Sequence, residues 1–215
     1  MAFDVSPSRD CSDCPRLAAF RAANRAVYPD WSNAPVASFG KSNARLLIVG
    51  LAPGLKGANR TGRPFTGDYA GDLLYTTLLG FGFASGRYDR RADDGLELVD
   101  CAIVNAVRCA PPQNKPTPQE IASCRVYLKQ SIAVLPDLRV VLALGRIAHE
   151  TVLRAFDARA ASHLFSHGAR MEIRSGGPIL FDSYHCSRYN TNTGVLTEAM
   201  FCDVFAAIRK ELDLQ

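Results

Sequence analysis

The stretch RLLIVGLAPGLKGANRTGRPFTGD, residues 45–68, decides the fold. Residues 45–50 are a short, mainly apolar run that ends in glycine, which predicts a buried strand followed by a loop. Residues 68–79 place four leucines on one side and precede Gly80 and Gly82, as expected of a helix that ends there. The segment therefore predicts a strand, a glycine-rich loop and a helix in succession.

The rest of the chain repeats this alternation of strand and helix. Residues 117–135 are the strongest helix prediction, because Thr117 suits an N-cap, Pro118 the first helical position and Glu120 a capping box. Apolar patterns predict further strands at 100–107, 138–144, 171–174 and 178–184, and further helices at 146–156 and 195–212. This order predicts an α/β sandwich with a mostly parallel sheet.

Three loops follow predicted strands, at residues 51–66, 108–116 and 185–194. They hold most of the polar and glycine-rich sequence. Ligands of parallel sheets bind beyond the carboxyl ends of the strands, so the three loops are expected to meet in one cleft. Neither G-x-x-x-x-G-K-[ST] nor G-x-G-x-x-G occurs in the chain, which argues against a nucleotide-cofactor motif.

Three residues of this region could carry chemistry, and each also has a structural interpretation. Phe65 is either a plug for the core or a stacking surface for a planar base. Asn105 either ties a loop or presents its amide to a ligand such as the imide edge of uracil. His185 opens the polar run HCSRYNTNTG and is either structural or part of a site for phosphate or a probing loop.

Four cysteines are spaced as a metal site would require. Cys11 and Cys14 form a C-x-x-C, and Cys109 and Cys124 lie about a hundred residues further on. Thiolates at these spacings suit a tetrahedral metal or an iron–sulfur centre that ties the N-terminal arm to the middle of the chain. The odd total of seven cysteines weakens a disulfide interpretation.

Length and composition set broad limits. The 215 residues suffice for one domain with a proper core, and we expect a single domain over residues 1–215. No apolar run is long enough to span a bilayer and the N-terminus lacks a secretory signal, so a cytoplasmic location is expected. The net charge of +4 permits nucleic-acid binding without requiring it.

The segments GLAPGLKGANRTGRPFTGD, NAVRCAPPQNKPTP and HCSRYNTNTG, in this order and with the four cysteines, resemble the family 5 (type b) uracil-DNA glycosylases. These enzymes are related to the iron–sulfur family 4 glycosylases. The resemblance implies a three-layer α/β/α sandwich with a central four-stranded parallel sheet. It also implies a DNA-repair enzyme that flips a deaminated base out of DNA and hydrolyses its glycosidic bond. Uracil is the expected base, with hypoxanthine and xanthine as further candidates.

The resemblance also assigns roles to residues. Phe65 would stack on the flipped base, Asn105 would read the edge of the ring, and His185 would donate to uracil O2. Backbone amides near the base would come from Gly50, Leu51 and Ala52. The loop at 185–194 would enter the duplex, and the expected DNA contacts are Arg60, Ser187, Arg188 and Asn190. A structural 4Fe–4S cluster would be held by Cys11, Cys14, Cys109 and Cys124.

Two positions depart from expectation. Residues 50–53 lack the polar side chain with which other uracil glycosylases activate water. We favour Asn59 for positioning this water, while Asp68 is the second polar candidate and could instead cap the following helix. Cys186 stands where the family usually has proline, which leaves the shape of the following loop open.

Two other functions remain open at this stage. One is a nucleic-acid-binding module with structural zinc in place of the cluster. The other is a hydrolase that acts on nucleosides or RNA on a similar frame. For the glycosylase, we expect DNA as the partner and a monomeric protein.

Overall fold

The computed structural model describes residues 5–159 and 162–214. At its centre lies a six-stranded sheet, in which the four inner strands are parallel and the two edge strands antiparallel. In chain order the strands of this sheet are β1 (Phe39–Gly40), β2 (Leu46–Gly50), β5 (Cys101–Asn105), β6 (Val140–Leu144), β7 (Arg170–Glu172) and β8 (Ile179–Ser183). Their order across the sheet is β1-β5-β2-β6-β8-β7. The predicted parallel four-stranded core is confirmed, and an antiparallel strand extends it on each side.

Seven α-helices of the described residues surround the sheet. They are α1 (Pro15–Val27), α2 (Ala58–Thr61), α3 (Tyr69–Gly80), α4 (Pro118–Ala133), α5 (Arg146–Ala155), α6 (Arg188–Asn192) and α7 (Glu198–Asp213). Helices α3 and α7 pack on one face of the sheet, while α4 and α5 pack on the other. All four inner strands are buried along their whole length, as parallel strands covered on both faces must be. The three-layer α/β/α prediction is therefore confirmed.

Local signals place several helix starts. Thr117 and Glu120 form the predicted capping box of α4, with both reciprocal hydrogen bonds present. Asp68 caps α3 by accepting a hydrogen bond from the backbone N–H of Gly71 at 3.1 Å. These caps fix the ends of the helices that flank the cleft described below.

The N-terminal helix α1 packs away from the main sheet. Leu17 on α1 lies in a small apolar cluster with Val107, Cys109, Ile121 and Cys124. A short hairpin of β3 (Ala84–Ser85) and β4 (Glu97–Leu98) and a 3-10 turn at Pro112–Asn114 complete the described elements. None of the described helices has the length and apolar character needed to cross a membrane.

Candidate active site

A cleft of about 380 Å³ opens beyond the carboxyl ends of the parallel strands. All three predicted loops line it. The first contributes residues 51–54 and Phe65, the second Asn114, and the third His185, Ser187 and Arg188. The predicted convergence of these loops is therefore observed.

Phe65, Asn105 and His185 meet in this cleft around Gly50. Parallel pairing of β2 and β5 sets Gly50 directly opposite Asn105. A Cβ at Gly50 would lie 2.5 Å from the Phe65 ring and 2.6 Å from Asn105 Oδ1, so only glycine leaves room for both. The rings of Phe65 and His185 are 6.0 Å apart between centroids. Gly50 thus leaves space for the Phe65 and Asn105 side chains without lining the cleft itself, whereas Leu51 and Ala52 line it.

The Asn105 amide is buried but faces the cleft. The residue is 3% exposed. Within the described parts of the chain, its side chain makes no hydrogen bond to the protein, and it lines the cleft. A buried amide normally has partners, so this geometry leaves its donor and acceptor for a ligand.

The segment of residues 63–66, named here the Phe65 segment, is held from below by buried polar groups. Phe65 adopts a left-handed φ of 53°, which is unfavourable for an aromatic residue and needs support from its surroundings. Arg63 forms two 2.8 Å hydrogen bonds with the Asp94 carboxylate, and the Tyr75 hydroxyl donates to the carbonyl of Pro64 at 2.6 Å. Both partners of the ion pair are almost fully buried. These bonds hold the Phe65 ring in the wall of the cleft.

His185 begins the segment of residues 185–194, named here the His185 loop, two residues after the end of β8. Burial lowers the pKa of His185 to about 4, so the imidazole is neutral at pH 7. The Asn190 side-chain amide donates to the carbonyl of His185 at 2.8 Å. The buried Cys186 thiol lies 3.5 Å from the Ala70 carbonyl and anchors the loop to the start of α3. Cys186 is therefore an interior contact in this loop.

The end of β8 is fixed by a second buried histidine. His149 on α5 pairs with Asp182 through a 2.8 Å bond between Nδ1 and Oδ1, and both side chains are inaccessible to solvent. Its Nε2 lies 2.9 Å from the carbonyl of His163. Asp182, the partner of His149, lies three residues before His185 in the chain, so this buried pair fixes the strand end that leads to His185.

The two candidates for positioning water lie in different places. Asp68 lines the cleft while capping α3, and burial raises the pKa of its carboxyl. Asn59 does not line the cleft. Its side chain is buried and donates from Nδ2 to Oδ1 of Asn33 at 2.8 Å. The sequence-based preference for Asn59 thus finds no geometric support, because a structural hydrogen bond occupies its amide.

The predicted DNA contacts also divide by position. Ser187 and Arg188 line the cleft, and Arg188 lies over the ring of Tyr69 at 5.2 Å. Asn190 turns inward to His185, and Arg60 lines a separate depression outside the cleft. Tyr189, which sequence reasoning did not single out, is 74% exposed on the short helix α6. Its position as an aromatic residue inside an otherwise polar loop could have identified it from the sequence.

Cys11, Cys14, Cys109 and Cys124 line one small cavity between α1 and α4. All four thiols are free. Arg21 Nη1 donates to Cys109 Sγ at 3.2 Å. Burial raises the pKa of Cys109 to about 11 and of Cys124 to about 12. Among the described residues, no three or more ligand side chains come close enough together to be recognised as the site of a metal ion.

A family model described as the uracil DNA glycosylase superfamily matches residues 37–211. The chain belongs to this superfamily. The matched region includes the cleft residues Phe65, Asn105 and His185, as well as Cys109 and Cys124. The resemblance stated from the sequence is therefore confirmed.

Similar proteins place the chain more narrowly within the uracil DNA glycosylase superfamily. It is 46% identical over 206 residues to a type-5 uracil-DNA glycosylase of Thermus thermophilus, with 93% of both chains covered. It is 40% identical over 200 residues to a type-5 enzyme of Pyrobaculum aerophilum, with 91% of this chain and 86% of the relative covered. A type-4 uracil-DNA glycosylase of Archaeoglobus fulgidus is 36% identical over 124 residues, or 57% of this chain and 54% of its own.

Proposed function

We propose that the protein removes uracil from DNA by hydrolysing the bond between the base and deoxyribose, leaving an abasic site. The observation that carries this proposal is the meeting of Phe65, Asn105 and His185 in one cleft of a uracil DNA glycosylase superfamily member. Hypoxanthine and xanthine are proposed as further substrates. The small lining residues Ala52 and Gly54 and the cleft volume of about 380 Å³ favour room for a second ring.

The base is recognised by stacking and by one amide. The Phe65 ring provides an apolar face for the flipped base, and stacking of this kind contributes about 1–3 kcal/mol. The Asn105 amide offers a donor and an acceptor together, which matches O4 and N3–H of uracil. The gain from these contacts offsets a cost of a few kcal/mol for extruding the nucleotide.

His185 stabilises the departing base. Uracil leaves as an anion with charge on O2, and a neutral imidazole N–H aimed at this oxygen interacts more strongly as the charge develops. Its lowered pKa keeps His185 neutral at pH 7, so it donates a hydrogen bond without surrendering a proton to the base. Backbone N–H groups at Leu51 and Ala52, which line the same cleft, are proposed as additional donors.

Asp68 is proposed to position the attacking water. It is the one carboxylate among the described residues that line the cleft. The sugar becomes electrophilic as the base departs, so orientation of water suffices and a strong base is unnecessary. Asp68→Ser tests this role, because serine is an equally good N-cap but lacks the carboxylate that would orient the water. We expect single-turnover base release to fall about tenfold to hundredfold with an unchanged melting temperature. Undiminished turnover would exclude the role.

The His185 loop is proposed to enter the duplex and contact its backbone. Ser187 and Arg188 line the cleft edge, where phosphates of the bound strand pass. Tyr189 is exposed beside them and suits a wedge that occupies the space left by the flipped nucleotide. Asn190 supports the loop from inside through His185.

A 4Fe–4S cluster held by Cys11, Cys14, Cys109 and Cys124 is part of the proposal. All four cysteines line one cavity with free thiols, which supports it. So do two hydrogen bonds to sulfur, from Arg21 to Cys109 and from the Arg108 N–H to Cys124 at 3.3 Å, because donors to sulfur stabilise bound thiolates. When bound, the cluster ties the N-terminal arm to the middle of the chain within a single domain. It takes no part in cleaving the glycosidic bond.

The cluster has a direct test against structural zinc. Protein purified without oxygen should be brown, with broad visible absorbance and about four irons per chain on metal analysis. Cys109→Ser should lose iron and melt at a lower temperature, whereas Cys202→Ser on α7, outside the cavity, should retain both. Zinc in a colourless protein, or normal iron and melting in Cys109→Ser, would overturn the assignment.

The activity itself is tested by release of free base. Oligonucleotides containing uracil, hypoxanthine or xanthine, single- and double-stranded, should yield free base and alkali-labile abasic sites, with uracil in RNA and free nucleosides as controls. Base release from RNA or nucleosides alone would instead favour the nucleoside-directed hydrolase. We propose that the enzyme works on DNA as a cytoplasmic monomer.

A further inference from the structure

A second aromatic and basic surface lies beside the cleft. Tyr28, Trp31, Lys56, Arg60 and Gly67 line an open depression, named here the Tyr28–Trp31 platform. The Tyr28 and Trp31 rings stack face to face, with centroids 3.9 Å apart and planes 7° from parallel. Both aromatic residues are partly exposed, and Lys56 and Arg60 are exposed. Among the described residues, the lining combines stacked rings with two positive charges and includes no acidic side chain.

Buried amides hold the platform in place. Asn33 adopts a left-handed φ of 42° and donates from Nδ2 to the carbonyl of Tyr28 at 2.6 Å. Its Oδ1 accepts the hydrogen bond from Asn59 on α2, and its backbone N–H donates to the Asn59 carbonyl at 3.1 Å. Both asparagines are almost fully buried. Such a satisfied buried pair specifies one arrangement of the aromatic turn against α2, which gives Asn59 a positioning role.

The platform and the active-site cleft share one turn of the backbone. Gly67 lines the platform and its neighbour Asp68 lines the cleft. A Cβ at Gly67 would lie 2.8 Å from Arg60 Nη2, so Arg60 lies directly over this turn. Consecutive Cα atoms are about 3.8 Å apart, so the linings of the two sites adjoin at this turn.

We propose that the Tyr28–Trp31 platform binds an unpaired nucleotide that flanks the target base in single-stranded DNA; this inference rests on the proposed function. The base would stack on the aromatic pair, and Lys56 and Arg60 would contact the adjoining phosphates. Stacked rings favour an unpaired base over a duplex, because the faces of paired bases are already covered by their neighbours. The two cations, Lys56 and Arg60, match the negative charge of a phosphate backbone.

Trp31 provides a direct probe, because it is the single tryptophan of the chain. Undamaged oligo-dT should change its emission saturably in the full protein, with the same midpoint as fluorescence anisotropy of the labelled DNA. A blunt undamaged duplex should leave the emission almost unchanged. Unchanged emission at oligo-dT concentrations that saturate anisotropy would overturn the platform, whether or not the protein excises uracil.

Variants give a second measurement, the ratio of single-strand to duplex affinity. Partial unfolding lowers both affinities alike and leaves this ratio unchanged. Affinity is compared for single-stranded and duplex DNA that carry the same abasic-site analogue. We expect Trp31→Ala to lower the ratio of single-strand to duplex affinity about tenfold, and Trp31→Phe to restore most of it. Arg60→Gln should weaken single-strand binding and reduce the slope of log affinity against log salt by about one. Arg154→Gln, at the far end of α5, is the matched control and should change neither.

The outcomes separate this proposal from the glycosylase assignment. If the unmodified protein releases no base but oligo-dT still changes the emission of Trp31, the assigned activity is rejected and the platform remains a binding site. An unchanged affinity ratio in Trp31→Ala would reject the platform and leave the activity. A change of emission with an acidic peptide but not with oligo-dT would identify a protein partner and overturn the nucleotide proposal.

Discussion

The Phe65 segment and the His185 loop border the same cleft but are held in different ways. The Phe65 segment is fixed by a buried ion pair and by a buried tyrosine hydroxyl. The His185 loop is anchored at its first two residues, through Cys186 and the carbonyl of His185, and then becomes an exposed short helix. One wall of the cleft is therefore built for a fixed shape, and the other has a fixed base and an exposed tip. This division suits an enzyme that must select a base on one side and engage DNA on the other.

Replacing His185 tests whether the fixed base of the loop carries chemistry. His185→Ala should reduce base release about 10²–10³-fold, because it removes one donor to the developing charge on O2. The loss should appear in single-turnover rates, with DNA affinity almost unchanged. His163→Ala is the control, since His163 lies outside the cleft. Equal rates for His185→Ala and the unmodified protein would exclude charge stabilisation by this residue.

Replacing Asp94 tests the fixed wall. Asp94→Asn leaves the buried Arg63 guanidinium without its counter-ion, and such changes cost about 3–5 kcal/mol. Stability and base release should fall together, since Phe65 loses its support. Urea denaturation and the same kinetic assay measure both. Asp93→Asn, which breaks an exposed pair with Arg91 nearby, should leave both almost unchanged. A stable but inactive Asp94→Asn protein would contradict the coupling.

The pH dependence of stability tests the burial of His185 in its wall of the cleft. Burial lowers the pKa of His185 to about 4, below its ordinary value of about 6.5. Between these pH values the unfolded chain binds the proton and the folded chain does not, so stability falls as the pH drops from about 6.5 towards 4. His185→Ala should flatten this part of the curve in urea unfolding between pH 4.5 and 7. Parallel curves for the two proteins would reject the assigned pKa.

The main elements of the fold were predictable because their patterns are local. Strand β2 is a continuous apolar run, and α4 carries its own capping box. Helix α1 was not predicted, because its buried positions include Arg21 and Asn24 and so form no apolar stripe. The Asn24 amide donates within the helix to the carbonyl of Phe20, but Arg21 is satisfied from outside the helix, by Cys109 Sγ 88 residues further on and by the carbonyl of Cys11. Sequence periodicity does not reveal such partners.

The candidate site was predictable where a residue follows a strand. Asn105 and His185 end up in the cleft because parallel strands present their carboxyl ends at one edge of the sheet. Inside the long first loop this rule no longer applies. Asn59 inside the loop and Asp68 just after it are both polar, and the choice between them depends on Asn33, which lies 26 residues before Asn59. That is why the sequence favoured a residue that the structure places outside the cleft.

The smallest expected effect concerns the exposed tip of the His185 loop. Tyr189→Ala should lower base release from duplex DNA about tenfold and leave single-stranded substrate almost unaffected, because only a duplex requires a wedge to fill the space of the flipped nucleotide. Tyr189→Phe keeps the ring and should retain most of the duplex rate. The measurement is the ratio of single-turnover rates on matched single- and double-stranded substrates. An equal loss on both would mean that Tyr189 supports the cleft rather than probing the duplex, and the contrast between a fixed wall and an exposed tip would then fail.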